Sequence, residues 1–292
     1  MSKTVSFRSI LIAGIVTSLL IPGSLLAQDT PTQNVEAAER YNTGLQLTRS
    51  GKYAEAIAEF EASLKLDSTN VSTLYALGIA YKRNKQYDRA RQAYLRAVSI
   101  NPRYAEAHYA LGLIYQDQGH YQKAIESFGQ AINNKPDYPK AFYSIGYCYL
   151  KQKENQKAAG AFQRATELDS TYARAYKYLG VALSNLGKNG EAVEAYKNAI
   201  GINSKDGVAY YRLAAAYNRI GNHVEAIKAA KSCLKYKPNY APAHMQLGDA
   251  YKKLGQIDNA IGEYRKAAKN PKYRKAAEYE IDILENPEKY SQ

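Results

Sequence analysis

The residues able to do chemistry are few and scattered. The chain holds two cysteines, Cys148 and Cys233, and four histidines, His108, His120, His223 and His244. Two thiols do not make a disulfide framework. No histidine has a second His, Cys or carboxylate at the spacing of a zinc site. There is no glycine-rich phosphate loop and no G-x-S-x-G elbow. Catalysis, a metal and a cofactor are therefore not expected. What is abundant is tyrosine, with 28 residues against no tryptophan. Tyrosine offers apolar area, a hydroxyl and few rotors, which suits contact with another molecule at modest entropy cost.

The elements that would position those tyrosines repeat. Gly44, Gly78, Gly112, Gly146, Gly180, Ala214 and Gly248 are each separated by 34 residues. Ala56, Ala90, Ala124, Ala158, Ala192, Ala226 and Ala260 follow at twelve residues further on. Four beyond these stand Phe60, Tyr94, Phe128, Phe162, Tyr196, Ala230 and Tyr264. A period of this kind marks a repeat architecture, in which one unit cannot bury its apolar face alone and neighbours must stack. In the third unit, Leu111 and Tyr115 share one helical face, and Ala124, Phe128 and Ala131 share another. Gly119 between them suits a left-handed helix end, and Pro136 bars simple continuation. Small residues at the crossing allow helix axes to approach to the close end of about 8–10 Å.

These residues and their spacing resemble the tetratricopeptide repeat family, over seven tandem copies spanning 37–70, 71–104, 105–138, 139–172, 173–206, 207–240 and 241–274. The resemblance implies an all-α, right-handed solenoid of helix-turn-helix units. Residues 275–292 then supply a C-terminal capping helix and tail, with Tyr273 to Glu285 helical in pattern and Asn286-Pro287 as its stop. Asn155, Asn189 and His223 stand where Tyr53, Tyr87 and Tyr121 stand in other units, so looser packing is expected between repeats four and six. Cys148 and Cys233 lie two and a half repeats apart, beyond the reach of about 7 Å between Cα atoms that a disulfide needs. Both occupy positions usually filled by alanine and are expected to be buried. His108 and His244 share the fourth position of their units and are expected to pack.

The resemblance also implies that the first helix of each unit lines a concave face, its fifth and ninth positions pointing inward. The candidate groove is therefore Tyr41, Tyr75, Ile79, Tyr109, Leu113, Tyr143, Tyr147, Val181 and Tyr211. Six of the seven ninth positions are apolar, where the family usually has a polar residue. The functional expectation is a protein–protein scaffold that takes a peptide or helix of a partner protein in this groove. The plainer expectation is that each tyrosine packs on its own neighbours. The family's pattern of Lys and Asn for gripping a terminal carboxylate is matched by no three successive repeats.

Charge and the chain's start complete the reading. Formal net charge is +13. Repeat two carries Lys82, Arg83, Lys85, Arg89, Arg91, Arg96 and Arg103 against Asp88; repeat six carries Arg212, Arg219, Lys228, Lys231, Lys235 and Lys237 against Glu225. The alternative function is an adaptor whose basic bands bind anionic lipid, glycan or an acidic protein. A solvated face that keeps a long array soluble is the simpler account. Lys3 and Arg8, the apolar run Ile10 to Ile21 and Ala27 follow the order of a secretory signal peptide over residues 1–27. That run is shorter than the roughly 20 residues of a membrane span. The expectation is export to the periplasm or cell envelope, with cleavage near Ala27, no span in the mature chain and no nucleic-acid partner. Residues 28–36 read as a linker.

Overall fold

The computed structural model describes residues 31–290, so the expected signal segment lies outside the described residues. Helices fall in pairs, one pair per repeat. They are α1 Pro31–Arg49 with α2 Tyr53–Leu66, α3 Val71–Arg83 with α4 Tyr87–Ile100, α5 Ala105–Asp117 with α6 Tyr121–Asn134, and α7 Pro139–Lys151 with α8 Asn155–Leu168. Then come α9 Ala173–Asn185 with α10 Asn189–Ile202, α11 Gly207–Arg219 with α12 His223–Tyr236, and α13 Ala241–Lys253 with α14 Ile257–Ala268. Helix α15, Pro271–Glu285, closes the stack, followed by a 3-10 turn at Pro287–Tyr290. No strand occurs among the described residues.

Each helix packs on the next in sequence, and successive first helices (α5 on α7, α7 on α9, α11 on α13) also touch one another. Successive second helices make no comparable contact. The first helices therefore crowd along the inner curve and the second helices splay outside. One residue type makes the crossing possible. A Cβ placed on Gly112 would lie 2.4 Å from the Phe128 ring, and the same clash recurs for Gly44, Gly78, Gly146, Gly180 and Gly248 against their partner rings. Repeat six reaches the same crossing by a different route, with Ala214 facing the place where Ala230 replaces the ring, both fully buried.

The turn between paired helices needs a residue in the left-handed region. Gly51, Gly119, Gly187, Gly221 and Gly255 fill it with φ between +71° and +79°. Lys85 and Lys153 fill the same position in repeats two and four with φ of +62° and +63°. A side chain there costs about 1–2 kcal/mol.

Two boundaries differ from the sequence expectation. Helix α1 begins at Pro31, so residues 31–36 of the expected linker are helical. Proline suits a first helical turn, where its missing N–H is not needed. Residues 32–36 are exposed, and burial starts at Ala37, whose carbonyl accepts the Ser63 hydroxyl at 2.8 Å. The closing helix begins at Pro271, four residues before 275, because Asn270 caps it by accepting the Lys272 amide. It ends at Glu285, with Asn286 at the C-cap.

The contacts of repeats four to six are not looser. Asn155 accepts a hydrogen bond from Asn185 at 3.0 Å, and His223 lies 3.2 Å from the Asn218 side-chain oxygen. Polar ties replace the missing aromatics, over a continuous buried cluster that includes Phe162, Tyr196 and Leu213. Asn189 is the exception: its Oδ1 is buried with no partner.

Cys148 and Cys233 are free and fully buried. Burial pushes their thiols up to about 12 and about 11, which keeps both protonated. His244 is buried, with Nδ1 2.6 Å from Glu263 and Nε2 3.1 Å from the Pro238 carbonyl. It ties repeat seven to repeat six. His108 is only half-buried and lies 2.9 Å from the Pro102 carbonyl. No group of three His, Cys, Asp or Glu side chains converges among the described residues. No described helix is long and apolar enough to cross a membrane.

Candidate functional site

The nine groove candidates are all half-buried. Helical geometry explains this. Each fifth-position ring lies on the inner side of a first helix, yet its base reaches the crossing with the second helix. Tyr75 meets Tyr94 at 5.8 Å between centroids, Tyr109 meets Phe128 at 5.4 Å, and Tyr143 meets Phe162 at 5.6 Å. Such tilted pairs contribute about 0.5–1.5 kcal/mol beyond burial.

A second row of rings was not anticipated from the sequence. The last residue of repeats two, three and four is Tyr104, Tyr138 or Tyr172, each immediately before a first helix. These rings reach back 29 residues. Tyr75 pairs with Tyr104 at 5.3 Å, Tyr109 with Tyr138 at 4.9 Å, and Tyr143 with Tyr172 at 5.3 Å. Tyr211 and Tyr240 repeat the pattern at 5.4 Å. The expected ladder is thus a double row, packed partly on itself. Burial raises these hydroxyls, to about 12 for Tyr104 and Tyr172, so the rings present neutral O–H groups.

The double row breaks at repeat five. Lys177 takes the place of the fifth-position tyrosine, and Asp206 that of its partner. They form an ion pair at 2.5 Å. Asp206 also caps α11 by accepting the Val208 and Ala209 amides. Burial alone would raise its carboxyl; the Lys177 ammonium and the two amides outweigh burial and hold it below the usual carboxylate value.

Despite the ring packing, open volume remains on the inner face. A recess of about 560 Å³ between α3 and α5 is lined by Tyr75, Ile79, Tyr109 and Leu113, with Lys82, Arg83 and Lys85 at its rim. A second, of about 330 Å³, lies along α5, α7 and α9 and is lined by Tyr109, Leu113, Tyr143, Tyr147 and Tyr178. Tyr109 and Leu113 belong to both, so the two recesses form one trough. A third recess, of about 430 Å³, lies at the other end between α11, α13 and α15. It holds Tyr211 among polar groups: Asn218, Gln246, Asp249 and Glu280. Burial pushes the Asp249 carboxyl upward, against the hydrogen bond it accepts from Tyr264 at 2.8 Å.

Six of the nine candidates therefore come together in the trough, and Tyr211 lies in a separate, polar recess. Tyr41 and Val181 line none of these three. Tyr41 packs against Phe60 at 6.0 Å, and Val181 packs against the core of repeats four to six. The basic residues of repeat two also divide. Lys82, Arg83 and Lys85 face the trough, whereas Arg91 pairs with Asp88 at 3.0 Å on α4. Arg96, also on α4, donates to the Ser68 carbonyl at 2.6 Å. Four of repeat six's cations sit on α12 or just beyond it.

The model of the cilia and flagella-associated protein 70 C-terminal domain, a family of these repeats, matches residues 22–281. The chain belongs to the tetratricopeptide repeat family. Among solved structures, the MamA protein is 30% identical, with 59% of this chain and 93% of MamA covered at a TM-score of 0.54. YrrB, titled a TPR protein with an unusual peptide-binding site, is 21% identical, with coverage of 63% and 95% and a TM-score of 0.57. A tetratricopeptide repeat protein from Parabacteroides merdae is 16% identical, with coverage of 86% and 100% and a TM-score of 0.59. The last two show shared fold alone. No protein of curated function matches the chain. Tetratricopeptide repeat proteins bind protein partners and are typically non-catalytic scaffolds.

Proposed function

We propose that this chain is a non-catalytic scaffold of the periplasm or cell envelope, and that it holds a peptide segment of a partner protein in the trough that runs from repeat two to the first helix of repeat five. The observation that carries this reading is the continuity of the trough. Tyrosine rings, aliphatic floor residues and open volume run together across four first helices, α3, α5, α7 and α9. Rings already locked by pairwise packing lose little further freedom when a partner docks, which limits the ordering cost of association. Export rests on the sequence alone, through Lys3, Arg8, the Ile10 to Ile21 run and Ala27. YrrB, a TPR protein with an unusual peptide-binding site, is consistent with this mode of action.

The experiment is a pull-down from an envelope fraction with three baits. One is the intact chain. The second carries Tyr75→Ala, Tyr109→Ala and Tyr143→Ala. Because those rings also pack the repeats, the third carries Ile79→Gln and Leu113→Gln, with folding checked by a thermal melt. A partner retained by the intact chain and lost by both variants is the expected result. Equal capture by a folded third bait removes the trough from the reading.

A further inference from the structure

The charge of the trough identifies the chemistry of its occupant. Five cations line its two recesses: Lys82, Arg83, Lys85, Lys140 and Arg174. One acid, Asp117, lines it with them, and Lys82 already neutralises that acid at 3.5 Å. Glu106, also on α5, is held by Lys135 at 3.4 Å. Arg83, Lys85, Lys140 and Arg174 are exposed, and among the described residues no carboxylate lies within ion-pair distance of any of them. Arg174 instead stands 5.9 Å over the Tyr143 ring. The C-terminal recess differs, since Asp249 and Glu280 accompany its cations.

Lys85 stands at the trough rim on a turn. Its backbone lies in the left-handed region, where five of the other six repeats place glycine. Lys153 shares this conformation in repeat four and lines neither recess, so what distinguishes Lys85 is its place at the trough rim. Glycine would relieve the backbone and remove a cation from the trough rim.

We infer that the segment bound in this trough is acidic and carries aliphatic or aromatic anchors. The inference rests on the trough being the binding site. Anchors would sit on Ile79 and Leu113 between the tyrosine rings, while carboxylates would pair with the four free cations above. Such pairs add modest affinity each but set which segment is chosen and how fast it docks.

The test uses random peptides of about ten residues displayed on phage, roughly the length that spans three repeats when extended. They are selected on the full chain and then measured against two variants. One carries Arg83→Gln, Lys85→Gln, Lys140→Gln and Arg174→Gln; these side chains are exposed and lack acidic partners, so the fold is expected to survive. The other is Ile79→Gln with Leu113→Gln. Selected peptides should be rich in Asp and Glu between apolar residues. They should bind the glutamine-for-cation variant about tenfold or more weakly and weaken as salt rises from about 50 to about 300 mM. Peptides without acidic enrichment that bind this variant normally, yet fail on the floor variant, overturn the charge inference and leave the trough reading standing. Peptides indifferent to both variants overturn both. Vesicles of phosphatidylcholine and phosphatidylglycerol form the last arm. Cation-dependent vesicle binding without any cation-dependent peptide overturns the inference in favour of a lipid surface.

Discussion

At the third helix crossing, Gly112 and Phe128 should behave as one unit. An alanine Cβ at 112 would stand 2.4 Å and 2.5 Å from two carbons of the Phe128 ring. Phe128 is fully buried, so the ring has no open side to swing into. Overpacking of this kind costs about 1–3 kcal/mol, and a contact this short belongs at the upper end. Replacing glycine by alanine inside a helix returns about 1 kcal/mol. Gly112→Ala alone should therefore destabilise by about 2 kcal/mol. Phe128→Ala alone should cost about 3–5 kcal/mol through the cavity it leaves. In that background the sign reverses. The clash is gone, the helix gain remains and the new methyl fills part of the void, so Gly112→Ala should stabilise by about 1 kcal/mol. The coupling is about 3 kcal/mol, which is large for a neighbouring pair. The chain already contains the double replacement, as Ala214 with Ala230 in repeat six. Urea unfolding of the four chains would measure the cycle. Hydrogen exchange at α5 and α6 should accompany it, since repeat arrays can lose all-or-none unfolding. Equal destabilisation by Gly112→Ala in both backgrounds would refute the steric account.

Three further outcomes follow from particular contacts. Lys85→Gly and Lys153→Gly should each stabilise by about 0.5–1 kcal/mol, the relief of a left-handed side chain less the extra freedom of unfolded glycine; urea midpoints check this, and a loss of stability would show that the lysine side chains hold the turn. Asp249→Asn should stabilise at neutral pH. Burial raises the folded carboxyl, so the folded chain keeps its proton longer than the unfolded one, and stability falls as pH rises from the unfolded carboxylate value through the folded one. The advantage of Asn should therefore vanish below about pH 4, the unfolded range; thermal melts at acidic and neutral pH decide it, and an advantage independent of pH would refute the burial argument. Asp206→Ala should cost more than Lys177→Ala, because Asp206 both pairs with Lys177 and caps α11; a cap contributes about 1 kcal/mol, and equal losses in denaturant midpoint would remove the capping contribution.

How far the molecule could be read from its sequence depends on how far apart the interacting residues stand. The helix pairs were legible because their signals are local: apolar spacing within a helix, a turn residue at its end and the same pattern returning after 34 residues. Tyr75, Ile79, Tyr109 and Leu113 were legible as inward-facing because the repeat's family fixes where its fifth and ninth positions point. The α1 start was missed because polar composition over residues 31–36 outweighed the compatibility of Pro31 with a first helical turn. The double row was missed for a different reason. At the last position of a repeat two physical solutions compete: a side chain that caps the next helix, or a ring that packs on the previous one.

Asn70 and Asp206 take the capping solution, and Asn70 accepts the Thr73 amide at 3.0 Å. Tyr104, Tyr138, Tyr172 and Tyr240 leave their helices without a side-chain cap and take the ring solution. The ring solution needs an aromatic partner 29 positions earlier, and that partnership exists only once the repeats are stacked. Lys177 is met by a carboxylate; tyrosine is met by a ring at Tyr104, Tyr138, Tyr172 and Tyr240, and Tyr41 by the capping Asn70. The same reasoning applies to the trough's charge. Composition counts every cation in repeat two alike, but the helix pair directs Arg83 and Lys85 to the inner rim and leaves Arg91 and Arg96, both on α4, to contacts with Asp88 and with the Ser68 carbonyl. A basic band in sequence thus becomes two surfaces of unequal consequence. The inner one combines free charge with apolar floor and open volume across several repeats, and these properties together are what an acidic, apolar-anchored segment requires.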